Sequence, residues 1–205
     1  MGSMHKSKLL IATNNKGKLK EICAILDDLE FELLSPADLG LELEVVEDGQ
    51  TYAENAAKKA LAFSQASGLI SLADDSGLEV DALDGAPGLH SARYSTLPNA
   101  TDADRRATLL LNLSRYPRPW VARFRATVAI AGPGRSVELV EGICPGEIIP
   151  EERGRGGFGY DPIFLLTDLN KTMAELEMEE KNRLSHRGQA VQRAIPILIE
   201  FLKGQ

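Results

Sequence analysis

Cysteine is nearly absent: the 205 residues hold two, Cys23 and Cys144. A disulfide framework is therefore not what organises the chain. Those two cysteines and the three histidines make no structural zinc site at any standard spacing. No apolar run approaches the ~18 residues of a membrane span, so no membrane partner is expected. The N-terminus lacks the apolar stretch of a secretory signal, and the expected compartment is cytoplasmic. Positive charge is in deficit, with 23 Lys and Arg against 30 Asp and Glu, a net charge of -7. Such a chain repels duplex nucleic acid unless it hides a basic patch, so no nucleic-acid partner is expected. There is no internal repeat and no low-complexity tract. What is present is a 43% hydrophobic fraction, enough for a core and against disorder. At roughly 150 residues per domain, the length gives one domain. We expect it over residues 8–203, with two lobes, and we read Met1-Gly2-Ser3-Met4 as a cloning remnant. His5 goes with that leader.

The order of elements reads as mixed α/β. Lys8 to Ala12 is an apolar run of buried-strand length, and Leu19, Ile22, Cys23, Leu26 and Leu29 then recur at helical steps. Phe31 to Leu34 predicts a second strand. Leu41 to Gln50 is acidic and shows no clear period. Thr51 and Glu54 form a capping box for an Ala-rich helix to Ser67, with Gly68 just past its end. Leu69 to Ala73 and Leu78 to Ala82 predict two strands separated by Asp74-Asp75-Ser76-Gly77. Thr101 caps a helix to about Leu113, with Asp104 three residues on. Val121 to Ala131 and Val137 to Ile143 predict strands joined at Gly132-Pro133-Gly134. Ile163 to Leu166 predicts a short strand, and Thr172 with Glu175 a short capped helix. Ser185 opens a last helix to Leu202, where Pro196 predicts a kink or an early stop. The simplest assembly is one elongated mixed β-sheet flanked by helices.

Five clusters carry candidate chemistry. Thr13-Asn14-Asn15-Lys16-Gly17-Lys18 joins a strand end to a helix start, where free amides, the helix dipole and two lysines suit a phosphate. An ordinary Asn-capped polar turn reads equally well, and the spacing is not that of a P-loop. Asp74-Asp75 could hold a hard cation or activate water. On a strand the two side chains point to opposite faces, so one should face the site and the other do structural work; a plain turn is the alternative. Glu47 and Asp48 could add a metal ligand or be a solvated acidic loop. Gly154 to Gly159 matches GxGxxG literally, but no helix follows, which excludes a dinucleotide fold. We read it as a glycine hinge that lets backbone approach a ligand. Phe158 and Tyr160 beside it are stacking candidates for a flat base, or core. Lys181 with Ser185-His186-Arg187 puts cations at a helix start against the dipole, which suggests a job for them on carbonyl oxygens or phosphates.

Together these stretches resemble one family. ATNNKGKLKE, VVEDGQTYAENAAKKA, ADDSGLEVDAL, GAPGLHSARY, RGRGGFGYDPIF and EEKNRLSHRGQA occur in the order found in the inosine triphosphate pyrophosphatases, in their bacterial dITP/XTP form. The resemblance runs from about Lys8 to Leu202. Thr-Asn-Asn, where relatives often have Thr-Gly-Asn, is a mild variant.

The resemblance implies Mg²⁺-dependent hydrolysis of purine nucleoside triphosphates (ITP, dITP, XTP) to monophosphate and pyrophosphate. That reaction clears deaminated purines from the nucleotide pool. It implies a homodimer, and a central ligand cleft between the two lobes. It makes Asp75 the catalytic and metal-binding carboxylate and Glu47 a second metal ligand, with Asp74 and Glu54 behind them. It gives Thr13, Asn14, Asn15, Lys16, Gly17, Lys18 and Lys181 to the triphosphate, and Ser76 to a substrate contact beside the metal. It makes Phe158, Gly159, Tyr160 and Asp161 the base-binding loop, with His186 and Arg187 reading the purine 6-oxygen. A nucleotide sensor without turnover, an RGRGG nucleic-acid module and a pyrimidine triphosphate hydrolase are the rival readings.

Overall fold

The computed structural model describes residues 6–203; the expected remnant Met1–Met4 and His5 lie outside them. Strands β1 (Ser7–Ile11), β2 (Phe31–Leu34), β3 (Ile70–Val80), β4 (Trp120–Ala131), β5 (Glu138–Ile148), β6 (Phe164–Leu166) and β7 (Lys171–Thr172) form one mixed sheet in the order β2-β1-β3-β4-β5-β6-β7. β1 pairs in parallel with β2 and β3, and β6 is antiparallel to β5 and β7. The helices are α1 (Lys16–Leu26), α2 (Tyr52–Ser67), α3 (Asp102–Leu113), α4 (Met178–Leu184) and α5 (His186–Lys203). Among the described residues no helix is long and apolar enough to cross a membrane.

The caps are those the sequence signals. The Thr51 hydroxyl accepts the Glu54 amide, and α2 closes on Gly68 at φ 71°, a conformation that favours glycine. Thr101 and Asp104 cap each other's amides at the start of α3. The Thr172 box holds a 3₁₀ turn, Met173–Glu175, and α4 follows where no helix was expected.

The chain divides into two compact units. Among the described residues the first comprises 6–75, 127–141 and 187–203. Its core sets Ala56, Ala60 and Phe63 of α2 against Leu10, Ala12, Ala73, Ala129 and Ala131 of the sheet. Alanines on both faces let helix and sheet approach closely. The acidic segment without a period is seated here: Leu41, Leu43 and Val45 pack on this core while Glu42 and Glu44 between them are exposed. The second unit comprises residues 76–126 and 142–186. Its core gathers Leu78, Val80, Leu109, Leu113, Trp120, Phe124 and Phe164 among others.

Two expectations fail. Asp74-Asp75-Ser76-Gly77 is no turn: β3 is one 11-residue strand running straight through it. Buried carboxylates break a strand only when unpaired, and these are paired. Of the kink or early stop expected at Pro196, the early stop does not occur: α5 runs through it as one 18-residue helix. Pro196 is exposed, on the side of α5 that faces water, where a helix tolerates a missing amide best. Proline still forfeits a hydrogen bond and crowds the preceding turn. Pro196→Ala should therefore raise stability by about 2 kcal/mol, after allowing for proline's effect on the unfolded chain. A urea denaturation midpoint that stays put or falls would contradict this.

Candidate active site

The first unit collects charge around β3. Asp74 and Asp75 are consecutive, so the strand turns their side chains to opposite faces, as expected. Asp74 is 1% exposed. It lies 3.2 Å from Lys18 Nζ of α1 and accepts from Arg187 Nε of α5 at 3.0 Å. Arg187 also donates from a terminal nitrogen to Glu21 Oε2 at 2.6 Å. Lys18 and Glu21, one turn apart on α1, thus serve the same buried group from both ends. Asp75 Oδ2 accepts from Asn55 Nδ2 of α2 at 2.9 Å, and its Oδ1 lies 3.9 Å from Lys59 Nζ. Lys59 donates to Glu47 Oε1 at 2.7 Å and to the Asp74 carbonyl at 2.8 Å. Asn55 Oδ1 accepts the Gly49 amide at 2.8 Å, so close that a Cβ on residue 49 would stand 2.6 Å away. Glycine is required there. Lys58 pairs with Asp48. The acidic segment is therefore fixed by α2 side chains, which its own sequence cannot announce.

The two carboxylates titrate in opposite directions. Burial pushes Asp74 upward, but Lys18, Arg187 and Lys59 together hold it well below the ordinary carboxylate range. Burial pushes Asp75 up and prevails over Lys59, Lys18 and the Asn55 hydrogen bond, with Glu47 adding to the rise. Burial likewise lowers Lys18 against the pull of Asp74. Arg187 rises despite burial, because Asp74 and Glu21 favour its charge.

The second unit builds a separate cluster. Asp161 Oδ2 accepts the Phe158 amide at 2.8 Å and Lys181 Nζ at 2.6 Å. Lys181 Nζ also stands 5.1 Å from the centre of the half-buried Phe158 ring. His186 is buried and stacks on Phe124 with ring centres 4.7 Å apart. Ser76 on β3 is half-buried.

Several expected roles change with this geometry. His186 and Arg187 are neighbours in sequence, yet Arg187 belongs to the first unit, with its guanidinium on Asp74 and Glu21, while His186 joins the second unit's core. Tyr160 is core: its ring is buried and its hydroxyl donates to the Ser91 carbonyl, leaving no face for stacking. Glu54 is exposed and spends its carboxylate on the Gln50 amide, as a cap and not a metal-side group. In the Thr13–Lys18 turn, Asn15 Oδ1 already accepts the Gly17 and Lys18 amides, at 2.9 and 3.1 Å. The Asn15 amide itself goes to the Thr13 hydroxyl. The turn's exposed donors for an anion are then the side chains of Asn14, Asn15 and Lys16. At two of the loop glycines the protein itself fills the space a side chain would take. At Gly154 (φ 82°) a Cβ would strike the Ala174 backbone, and at Gly157 (φ 70°) the Asp161 carboxylate.

Sequence reasoning missed Glu21, Asn55 and Lys59. Asn55 and Lys59 each precede by one residue an alanine of the buried α2 stripe. A polar pair at helical spacing beside a buried stripe was the available signal.

The opposed shifts give opposed stabilities. Asp74's folded pKa is depressed, so its contribution is complete above 3.8 and is lost as pH falls toward the folded value. Asp75's folded pKa is raised, so its ionisation costs stability as pH rises through that value. In urea denaturation Asp74→Asn should be destabilised at neutral pH, with the gap to the native protein narrowing below about pH 3.8. Asp75→Asn should be more stable than the native protein at neutral pH, with the gain gone once both states are protonated. Shifts of the same sign in both variants would overturn the assignment.

Comparison with known proteins identifies the family. The Ham1 family profile matches residues 9–197. A dITP/XTP pyrophosphatase of Desulforamulus reducens is 48% identical over 192 residues, covering 93% of this chain and 95% of the relative. One from Geobacter sulfurreducens is 51% identical over 186 residues, covering 90% and 93%. Among solved structures, a HAM1 protein from Coxiella burnetii superposes with a TM-score of 0.84 at 38% identity, over 95% of this chain and 99% of that one. With a profile match over most of its length and relatives near half identity, the chain belongs to the Ham1 family.

Proposed function

We propose that this protein hydrolyses deaminated purine nucleoside triphosphates (ITP, dITP and XTP) to the monophosphate and pyrophosphate, in a single catalytic domain over residues 8–203. The reading is supported by relatives named dITP/XTP pyrophosphatase at 43–51% identity. The observation that carries it is Asp75. It is a largely buried carboxylate with a raised pKa, held by Asn55 and Lys59, on the strand whose preceding residue anchors three cations.

In this reading a water oxygen attacks phosphorus and the α–β anhydride bond breaks, releasing pyrophosphate. Asp75 places the attacking water and would help hold Mg²⁺; a metal-bound carboxylate is a weak base, so placing the two is its main contribution. Lys18, Lys59 and Lys16 offset the triphosphate charge, which an acidic chain otherwise repels. Arg187 and Glu21 keep Asp74 ionised and fixed, so that Asp74 holds Lys18 in place. Phe158 offers its ring to the purine, Gly159, Asp161 and His186 shape the base contacts, and Lys181 adds its charge to the triphosphate set. Ser76 continues β3 directly after Asp75.

The donor set fits Mg²⁺. Asp75 and Glu47 supply only oxygen and converge on Lys59. Mg²⁺ is commonly bound by one or two carboxylates plus substrate phosphates and water. Substrate oxygens and water would complete the shell. Bound there, Mg²⁺ would polarise the phosphate and acidify water. The homodimeric state and a cytoplasmic location are proposed on the family resemblance.

The experiment is pyrophosphate release across ITP, XTP, dITP, GTP and ATP, with Asp75→Asn alongside. Turnover of the first three should dominate, and Asp75→Asn should lose at least about a hundredfold in kcat. Binding of ITP without turnover would favour a sensor; equal turnover of all five would remove the base preference.

A further inference from the structure

Helix α3 and the loop ending at Asp161 meet at one residue. The Gly159 amide donates to Asp102 Oδ2 at 2.8 Å, and the Gly159 carbonyl accepts from a terminal nitrogen of Arg106 at 2.9 Å. Both backbone groups of a single glycine are thus held by two side chains four residues apart, on one face of α3. Each of those side chains is itself fixed. Arg106 grips Glu152 with two nitrogens, at 2.7 and 3.0 Å, and the second Asp102 oxygen pairs with Arg105. The arrangement is two-pronged and charge-assisted, the kind that sets geometry as well as adding energy.

Gly159 needs such holding. It sits at φ 61°, no other atom lies where its Cβ would be, and glycine crosses between conformations at little cost. Its neighbours are the groups that matter. Phe158 precedes it, and Asp161 with its Lys181 partner follows two residues later. If Gly159 flips, the Phe158 ring and the Asp161 carboxylate move with it. Nothing in the chemistry proposed above uses Asp102, Arg106 or Glu152.

We infer that Asp102 and Arg106 are positioning residues for specificity: a clamp on Gly159 that presets Phe158 and Asp161 to receive the purine base. The inference rests on the reading of Phe158 to Asp161 as the base-binding loop. Presetting a loop removes an ordering cost from binding. The clamp should therefore matter to ligands that carry a base and be silent to those that carry only phosphate.

The test compares KM for ITP with the inhibition constant of inorganic tripolyphosphate, in the same assay on the whole enzyme. The variants are Asp102→Ala, Arg106→Ala, Asp102→Asn and Phe158→Ala. Asp102→Ala and Arg106→Ala should raise KM for ITP about tenfold, with kcat little changed, as for binding lost equally in ground and transition states. Tripolyphosphate inhibition should stay at the native value. Asp102→Asn keeps an acceptor oxygen and should restore a near-native KM, which a merely structural role for the charge would not allow. Native KM in both alanine variants, with a raised KM in Phe158→Ala, overturns the clamp and leaves the loop reading intact. Native KM in Phe158→Ala as well removes the loop reading and the inference with it. Parallel weakening of ITP and tripolyphosphate marks general damage and also overturns the clamp.

Discussion

Two adjacent carboxylates on a buried strand are the constraint around which the first unit is arranged. Ionised carboxylates taken out of water cost several kcal/mol each unless cations and hydrogen bonds replace the lost solvation. Asp74 and Asp75 turn to opposite faces of β3, so no single element can satisfy both. α1 brings Lys18 and Glu21, α2 brings Asn55 and Lys59, and α5 brings Arg187. The helices that cover this part of the sheet are thus also its counter-charges, and their faces are fixed by electrostatics as much as by alanine packing.

That arrangement divides labour between neighbours. Asp74 is over-compensated and locked in the ionised form. Asp75 is under-compensated: burial outweighs one lysine near 4 Å and one amide. An under-compensated carboxylate still has an appetite for a cation and for a proton, the two things a water-activating group must handle. The protein holds that cost at one residue and makes the next one rigid. The Asp161–Lys181 pair in the second unit follows a different logic. It is a fully buried pair whose carboxylate also takes a backbone amide, and it serves loop geometry more than charge chemistry.

Much of the architecture was legible because it is local. Caps at Thr51, Thr101 and Thr172 mark their elements through side chains three residues apart, and β1 and β2 are short apolar runs. The β3 error arose because Asp-Asp-Ser-Gly is favourable turn chemistry in isolation. Only Lys18, Arg187 and Lys59, far away in sequence, make two aspartates tolerable inside a strand. Pro196 misled in the same way, since local cost was outweighed by the packing of α5.

The sequence alone determined the class of fold, the ordered motifs that resemble one family, and the adjacent pair Asp74-Asp75 as candidate acids. These rest on composition, period and adjacency, which are properties of neighbouring residues. Tertiary structure alone decided that cations hold Asp74 low while burial raises Asp75, and that Arg187 braces Asp74 when its position beside His186 suggested a partner for a base. It also sent Tyr160 into the core, and tied Gly159 to Asp102 and Arg106. The physical reason is the same in each case: desolvation, and the geometry of charge pairs between residues up to 166 apart, depend on distances in space that no local pattern encodes.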